Sequence, residues 1–312
     1  MKIAITGICS NLGQILVPKL LELSEIDRII GIDIKNIGIQ SQKIDYYRLD
    51  IRNYDKLLEV LKNIDILIHL AFIVISKDLP PLNEIFDINI NGTVKVIKAA
   101  INNGVKKIIH LSSQSAYGHL PMMPKIASEN SPLLGIKNKN FYYAYSKAVI
   151  ERFLDNIESQ SNIIITRFRS PVIVGKHFFK DKDSAKLLLK LKIIPDIKKD
   201  PWIQLIHEED LVDAIILAIK NDYHGAFNVA SNIVNIDEFF EKNKMIKRIL
   251  IPGCIINFLI SLGNLCKPIS RYTGWLLASK YNCKLNVKKI KEIFGWAPKY
   301  STEDCLIDLL SK

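Results

Sequence analysis

Short apolar runs alternate with amphipathic stretches along the first half of the chain, and this alternation restricts the fold more than any other feature. Lys2–Thr6 reads as a strand, followed by a glycine-containing turn and a helix through about Leu23. Arg28–Asp33 and Tyr46–Leu49 read as the second and third strands, and Tyr54–Lys62 as a helix. Asp65–Leu70 and Lys107–Ser112 have the continuous apolar character of buried strands. Between them, Leu82–Asn103 shows helical periodicity and stops at Asn103-Gly104, a C-terminal signal. Phe141–Ser159 reads as the next helix and Asn162–Phe168 as the next strand. Strands alternating with helices build βαβ units, whose crossovers leave the strands parallel and covered on both faces. The expected class is therefore α/β, a doubly wound parallel sheet.

Beyond Gly175 the regularity weakens, although Glu208–Lys220 is an amphipathic helix and Ala226–Ala230 is strand-like. The expectation is a dinucleotide-binding domain over residues 1–175, with returns to the sheet from 203–231. Residues 176–312 would form a smaller, mainly substrate-binding region. The apolar segment 249–266 is short for a membrane span and is interrupted by Asn257, Ser261, Gly263 and Asn264. It is expected to be a packed helix covering a pocket, with association with a membrane surface as the alternative.

The first turn carries the phosphate chemistry. Gly7, Ser10, Asn11, Leu12 and Gly13 lie between the first strand and the first helix. A pyrophosphate needs backbone N–H groups at a helix N-terminus, and small residues permit its approach. Gly7 turns the chain, Gly13 lets helix pack on strand, and Ser10 replaces the usual middle glycine. Asp33 ends the second strand 20 residues beyond Gly13, where a carboxylate accepts hydrogen bonds from ribose hydroxyls. A negative charge there repels a 2′-phosphate, so a Rossmann-type site for NAD rather than NADP is expected.

Tyr143 and Lys147 form a YxxxK pair opening a helix, and residues four apart share a helical face. An ammonium near a phenol lowers its pKa, and the phenolate can then take the proton of an alcohol as hydride leaves its carbon. The serine cluster 112–115 ends the fifth strand upstream, and a hydroxyl there can polarise the reacting oxygen.

With these residues in order, the chain resembles extended short-chain dehydrogenase/reductases of the NAD-dependent epimerase/dehydratase group. The resemblance runs from TGxxxxxG (Gly7 to Gly13) through HLAF (His69 to Phe72), NINGT (Asn89 to Thr93), SSQSAYG and YAYSK. It continues through IHEEDLVDA (Ile206 to Ala214), FNVAS (Phe227 to Ser231) and FGWAPKYS (Phe294 to Ser301). It implies that Ser113 is the catalytic serine beside Tyr143 and Lys147. It implies that Asp50 and Ile51 hold adenine, and that Leu70, Ala71, Phe72 and Pro171 line the cofactor. Asn89 would support the site, and Gln114, Ser115, Arg169 and Ser170 would face substrate. It also implies a homodimer formed through the helix after Leu82 and the YxxxK helix.

Two departures bear on the reaction. Sugar-nucleotide 4,6-dehydratases place Asp-Glu after the catalytic hydroxyl, where this chain has Gln114-Ser115. Related epimerases carry an Arg-rich diphosphate clamp, but the corresponding Gly274–Asn286 stretch has Lys280 and Lys284 and no Arg. Arg is the residue suited to bidentate phosphate recognition. The neighbouring Arg169 and Arg271 match no clamp position. The resulting expectation is an NAD-dependent oxidoreductase or epimerase acting at a secondary alcohol carbon, of a sugar nucleotide or related sugar. An enzyme for 3β-hydroxysteroids or other apolar alcohols is the alternative, and a non-catalytic NAD sensor the second.

The remaining composition excludes more than it assigns. The net charge of +11 over 312 residues is spread along the chain, without a nucleic-acid-binding motif. Five scattered Cys, none in CxxC spacing, argue against a disulfide framework or zinc ribbon, and no metal is expected. The N-terminus lacks the pattern of a signal peptide, so a cytoplasmic protein is expected. His69 and His110 end buried strands and are expected in the core, His207 orders its turn, and His119 and His177 lie in loops near the site.

Overall fold

The computed structural model describes residues 1–74, 79–178, 193–196, 201–243, 247–265, 267–281 and 283–310. The N-terminal strands are β1 (Lys2–Thr6), β2 (Arg28–Asp33), β3 (Ile44–Arg48), β4 (Ile66–His69) and β5 (Lys107–Leu111). Then follow β6 (Ile126–Ala127), β7 (Ile164–Arg169), β8 (Val172–Val174), β9 (Ile193–Asp196), β10 (Trp202–His207) and β11 (Gly225–Asn228). The last are β12 (Ile233–Asn235), β13 (Lys247–Leu250) and β14 (Lys284–Leu285). The central sheet is parallel, with seven strands in the order β3-β2-β1-β4-β5-β7-β11. Strand order reverses between β1 and β4, which opens a crevice at the carboxyl ends of these two strands.

Helices cover both faces. On one lie α1 (Asn11–Leu21) and α6 (Glu208–Lys220). On the other lie α2 (Tyr54–Val60), α4 (Thr93–Asn102) and α5 (Tyr142–Gln160), with α3 (Leu82–Phe86) leading into α4. Successive strand residues point to opposite faces, so β1 feeds both cores. Ile3 and Ile5 pack with Leu16, Leu20 and Ile215, whereas Ala4 packs with Leu67, Val96 and Ile150. Burial on both faces is why these strands read as unbroken apolar runs.

The chain re-enters the large sheet late, when β11 pairs with β7 from Gly225↔Thr166 to Asn228↔Arg169. His207 caps α6 by accepting from the Glu209 N–H at 3.2 Å, and its ring stacks on Tyr300 at 3.9 Å. Three small sheets complete the described structure: β8-β10-β12, β9-β13 and β6-β14. The remaining helices are α7 (Ile236–Asn243), α8 (Gly253–Leu265), α9 (Lys267–Lys280), α10 (Lys288–Phe294) and α11 (Thr302–Leu310).

Two expectations are corrected. Leu82–Asn103 is not one regular helix, because a π-turn spans Asp87–Gly92 between α3 and α4. Segment 249–266 contains the expected packed helix, α8, seated through Ile256 and Gly263, but its Phe258, Leu262 and Leu265 face solvent rather than a pocket. The following helix reaches the core instead, where a Cβ on Gly274 would stand 2.2 Å from the Phe141 ring. Cys266 lies outside the described residues, as do the side chains of Asn264 and Arg271. Cys9, Cys254 and Cys305 are free thiols. Among the described residues no group of His, Cys, Asp and Glu could hold a metal ion, and no helix is long and apolar enough to cross a membrane.

Candidate active site

The glycine loop is shaped by close approach. Gly7 has φ +73°, and a Cβ there would lie 2.5 Å from the Ala71 amide nitrogen. A Cβ on Gly13 would lie 2.2 Å from the Ile8 carbonyl oxygen. Both positions therefore admit only glycine, and the loop rests against Leu70 and Ala71 just after β4. Ser10 caps α1, its hydroxyl accepting from the Gly13 N–H at 3.1 Å. First-turn amides have no intrahelical acceptor, and here they belong to Asn11 and Leu12. No acidic side chain stands in that turn, so the positive helix end is open to an anionic group.

Asp33 closes the rim of the loop. Its carboxylate accepts from the Cys9 N–H at 2.9 Å and from the Lys35 N–H at 3.0 Å. Asp50 is forked by the Arg52 guanidinium at 2.7 and 3.1 Å, which holds its carboxyl below the usual range. Arg52 also donates to Asp87 at 3.2 Å, so this cluster ties the end of β3 to the π-turn. Ile51 is buried beneath Gly92. Asn89, wholly buried, accepts from the Ile73 N–H at 2.8 Å and donates to the Ile73 carbonyl at 3.0 Å. Both ends of its amide are spent on the strand β4 exit, so it supports the site through the backbone. His69 and His110 are core residues, as expected. His69 sits between the Thr6 and Thr93 hydroxyls at 2.6 and 2.9 Å, and burial drops its pKa to about 3.

Ser113, Tyr143 and Lys147 converge beyond β5. The Ser113 hydroxyl accepts from the Ser115 N–H at 3.1 Å and lies close enough to the Tyr143 phenol to lower its pKa. Three aromatic rings surround that phenol: Trp275 at 5.3 Å, Phe72 at 5.7 Å and Phe141 at 6.1 Å between centroids. The Lys147 ammonium donates to the Leu111 carbonyl at 2.7 Å and lies 3.7 Å from the centre of the Phe72 ring. Burial pulls its pKa down to about 7, against the attraction of Glu151.

The expected direction of the Tyr143 shift is corrected. Burial raises the phenol above its ordinary value, and the Ser113 hydroxyl offsets only part of this. Desolvation disfavours the charged form of both members of the pair, and each shift follows that sign.

Glu151, one turn beyond Lys147, extends the site inward. It is fully buried and paired with Arg169 through two contacts of 2.8 and 2.9 Å. Arg169 also donates to the Tyr117 hydroxyl at 3.0 Å and the Glu129 carbonyl at 2.9 Å. Its guanidinium is thus spent inside the protein, which corrects the expectation that it faces substrate. The same holds for Gln114, whose side-chain amide donates to the Cys283 carbonyl at 3.0 Å. The Ser170 carbonyl accepts from the Gln114 N–H at 2.9 Å, and buried Ser170 and Pro171 lead into β8. Ser115 bonds His119 Nε2 at 3.0 Å, and His119 Nδ1 donates to the Tyr281 carbonyl at 2.6 Å. A carbonyl only accepts, so Nδ1 carries the proton and Nε2 accepts from Ser115 when the ring is neutral. His177 pairs with Glu208 at 2.8 Å.

Sequence reasoning missed Glu151, Phe141 and Trp275. The i+4 spacing from Lys147 could have pointed to Glu151, but no local pattern connects Trp275 to Tyr143.

The profile of the NAD dependent epimerase/dehydratase family matches residues 3–230. The chain is 32% identical over 119 residues to the vaccinia virus (strain Copenhagen) 3 beta-hydroxysteroid dehydrogenase/Delta 5-->4-isomerase, a match covering 37% of this chain and 34% of the viral protein. It is 25% identical over 190 residues to the UDP-glucose 4-epimerase of Rickettsia akari, covering 52% and 55% of the two chains. It thus spans about a third to a half of these curated relatives. Among solved structures, the dTDP-glucose 4,6-dehydratase DesIV of Streptomyces venezuelae, with NAD and TYD bound, superposes with a TM-score of 0.74 at 17% identity. That match covers 100% of this chain and 96% of DesIV. The glycine cradle, the open helix end and Asp33 fit a bound dinucleotide. The chain belongs to the NAD-dependent epimerase/dehydratase family.

Proposed function

We propose that the protein catalyses reversible hydride transfer at a secondary alcohol carbon, and that the alcohol belongs to a largely apolar molecule. The observation that carries this reading is the wall of Phe72, Phe141 and Trp275 around the Tyr143–Ser113 pair. An aromatic wall rewards an apolar skeleton with buried area, and Arg169 is committed to Glu151 rather than to a diphosphate. NAD, when bound, supplies the carbon that accepts or returns the hydride. Gly7, Ser10, Asn11, Leu12 and Gly13 would hold its pyrophosphate, Asp33 its adenosine ribose, and Lys147 the nicotinamide ribose. Tyr143 takes the alcohol proton, and Ser113 donates to the same oxygen. Because burial favours the neutral phenol, Tyr143 serves reduction as an acid at neutral pH and oxidation as a base more readily at higher pH.

The test is NADH formation from 3β-hydroxysteroids and other apolar secondary alcohols. Tyr143→Phe is expected to reduce turnover about a hundredfold or more while leaving NADH affinity within about twofold. Retained activity in the variant would remove Tyr143 from the chemistry.

A sugar-nucleotide epimerase is the second reading, favoured by the 25% identity over 190 residues to the Rickettsia akari UDP-glucose 4-epimerase. An epimerase keeps its cofactor through each cycle, so denatured protein should release stoichiometric NAD and the enzyme should interconvert UDP-sugars. NAD binding without turnover on either panel would leave a sensor. We propose a homodimer formed through the faces of α3–α4 and α5, which light scattering at micromolar concentration would check.

A further inference from the structure

Helix α8 presents Ile255, Phe258, Leu259, Leu262 and Leu265 at helical spacing, and together they occupy an arc of about 120°. Their exposures are 47%, 65%, 44%, 53% and 84%. Ile256 and Gly263 point to the other side and are buried. Isolated apolar side chains on a surface are ordinary, but a continuous stripe of five marks a surface for a partner.

The surrounding charge identifies that partner. Residues 242–291 contain eleven Lys and Arg and no Asp or Glu. At the flank of the stripe the Lys280 ammonium donates to the Asn257 side chain at 3.0 Å. Lys288, further along, keeps 74% of its side chain exposed and pairs with the exposed Glu292 at 3.6 Å. Lys289 turns inward to the Ala226 carbonyl and is not part of this face. A second copy of the chain would bring the same positive charge against itself. A bilayer surface with anionic headgroups offers acyl chains to the stripe and phosphates to the lysines.

We propose that α8 is an interfacial helix that docks the protein on anionic lipid bilayers. With 13 residues at about 1.5 Å each, it lies in the surface rather than crossing it. This inference does not depend on which alcohol the enzyme takes.

The experiment is co-sedimentation of the whole protein with vesicles of phosphatidylglycerol and phosphatidylcholine, or of phosphatidylcholine alone. Binding is expected to the anionic vesicles, weaker by about tenfold or more on neutral ones, and to decline as salt is added. Phe258→Ser with Leu262→Ser should weaken it by about tenfold or more, with unchanged circular dichroism and NADH affinity. Lys280→Glu with Lys288→Glu, which leaves the stripe intact, should weaken it at low salt. Equal binding by the apolar double variant would overturn the proposal. So would failure to bind vesicles, including the case of a wild-type dimer made monomeric by that variant, which would make the stripe a protein interface.

Discussion

Tyr143, Lys147 and Glu151 occupy successive turns of α5, and each lies in a drier environment than the one before. Of the three, Glu151 is the one held in direct ion pairs, since Arg169 forks it and Arg167 lies 3.5 Å away. These arginines and not solvent keep its carboxyl below the ordinary value. Glu151→Gln leaves a buried guanidinium unmatched, and removing one partner of such a pair costs about 3–5 kcal/mol. The loss should be visible as a lower urea midpoint. Replacing Glu151 and Arg169 together by Leu should cost less than the sum of the single changes, as expected of coupled neighbours. Additive costs would show that the two residues act independently. The proximity of Tyr143 and Lys147, 5.8 Å from ammonium to ring, was legible from their spacing. The sign of the Tyr143 shift was not, because desolvation depends on Trp275 and Phe141, which no spacing rule connects to that ring.

At the scale of elements, the π-turn is where the sequence reading was too regular. Residues 82–103 have helical periodicity, but the Asn89 amide holds both polar groups of Ile73 and the helix accommodates a wider turn there. Such turns recur at functional sites. Asn89→Ala would leave the Ile73 N–H and carbonyl without this partner, at about 1–3 kcal/mol for each group that stays buried and unsatisfied. Since Ile73 continues the segment against which the glycine loop rests, NADH affinity should fall by about tenfold. Hydrogen exchange at residues 71–73 should accelerate as well. Unchanged exchange there would show that the turn does not hold the loop. A related displacement affects α8 and α9. The more apolar of the two helices was expected over the pocket, but Gly274 gives α9 the closer approach, and it is α9 that brings Trp275 to Tyr143.

Across the whole molecule, the two strand-end histidines couple folding to pH. His69 and His110 stack at 5.5 Å in the core, and burial lowers both pKa values, that of His69 to about 3. The unfolded chain therefore binds protons below pH about 6.5 that the folded chain refuses, so acid favours unfolding. For His69 this costs about 1.4 kcal/mol per pH unit between its unfolded and folded values, or about 2 kcal/mol from pH 6.5 to 5, and His110 adds in the same direction. Above pH 6.5 the contribution is level. Urea midpoints across this window should fall with acid, and His110→Leu should make that slope shallower. An unchanged slope would assign the acid sensitivity to carboxylates.

The order of strands and helices, the glycine loop and the Tyr143–Lys147 spacing were determined by sequence alone, because each is local or periodic. Backbone geometry at Gly7, a helical face at residues 143 and 147, and alternating burial along β1 need no knowledge of distant chain. The tertiary structure decided the rest. Arg169 and Gln114 turn away from substrate because they meet Glu151 and Cys283. The phenol lies among rings supplied by the segment after β4, the residue that precedes α5, and α9, and α8 stays exposed because α9 takes the inner position. These outcomes depend on contacts between segments far apart in sequence and on how much water they exclude, and no local pattern carries that information.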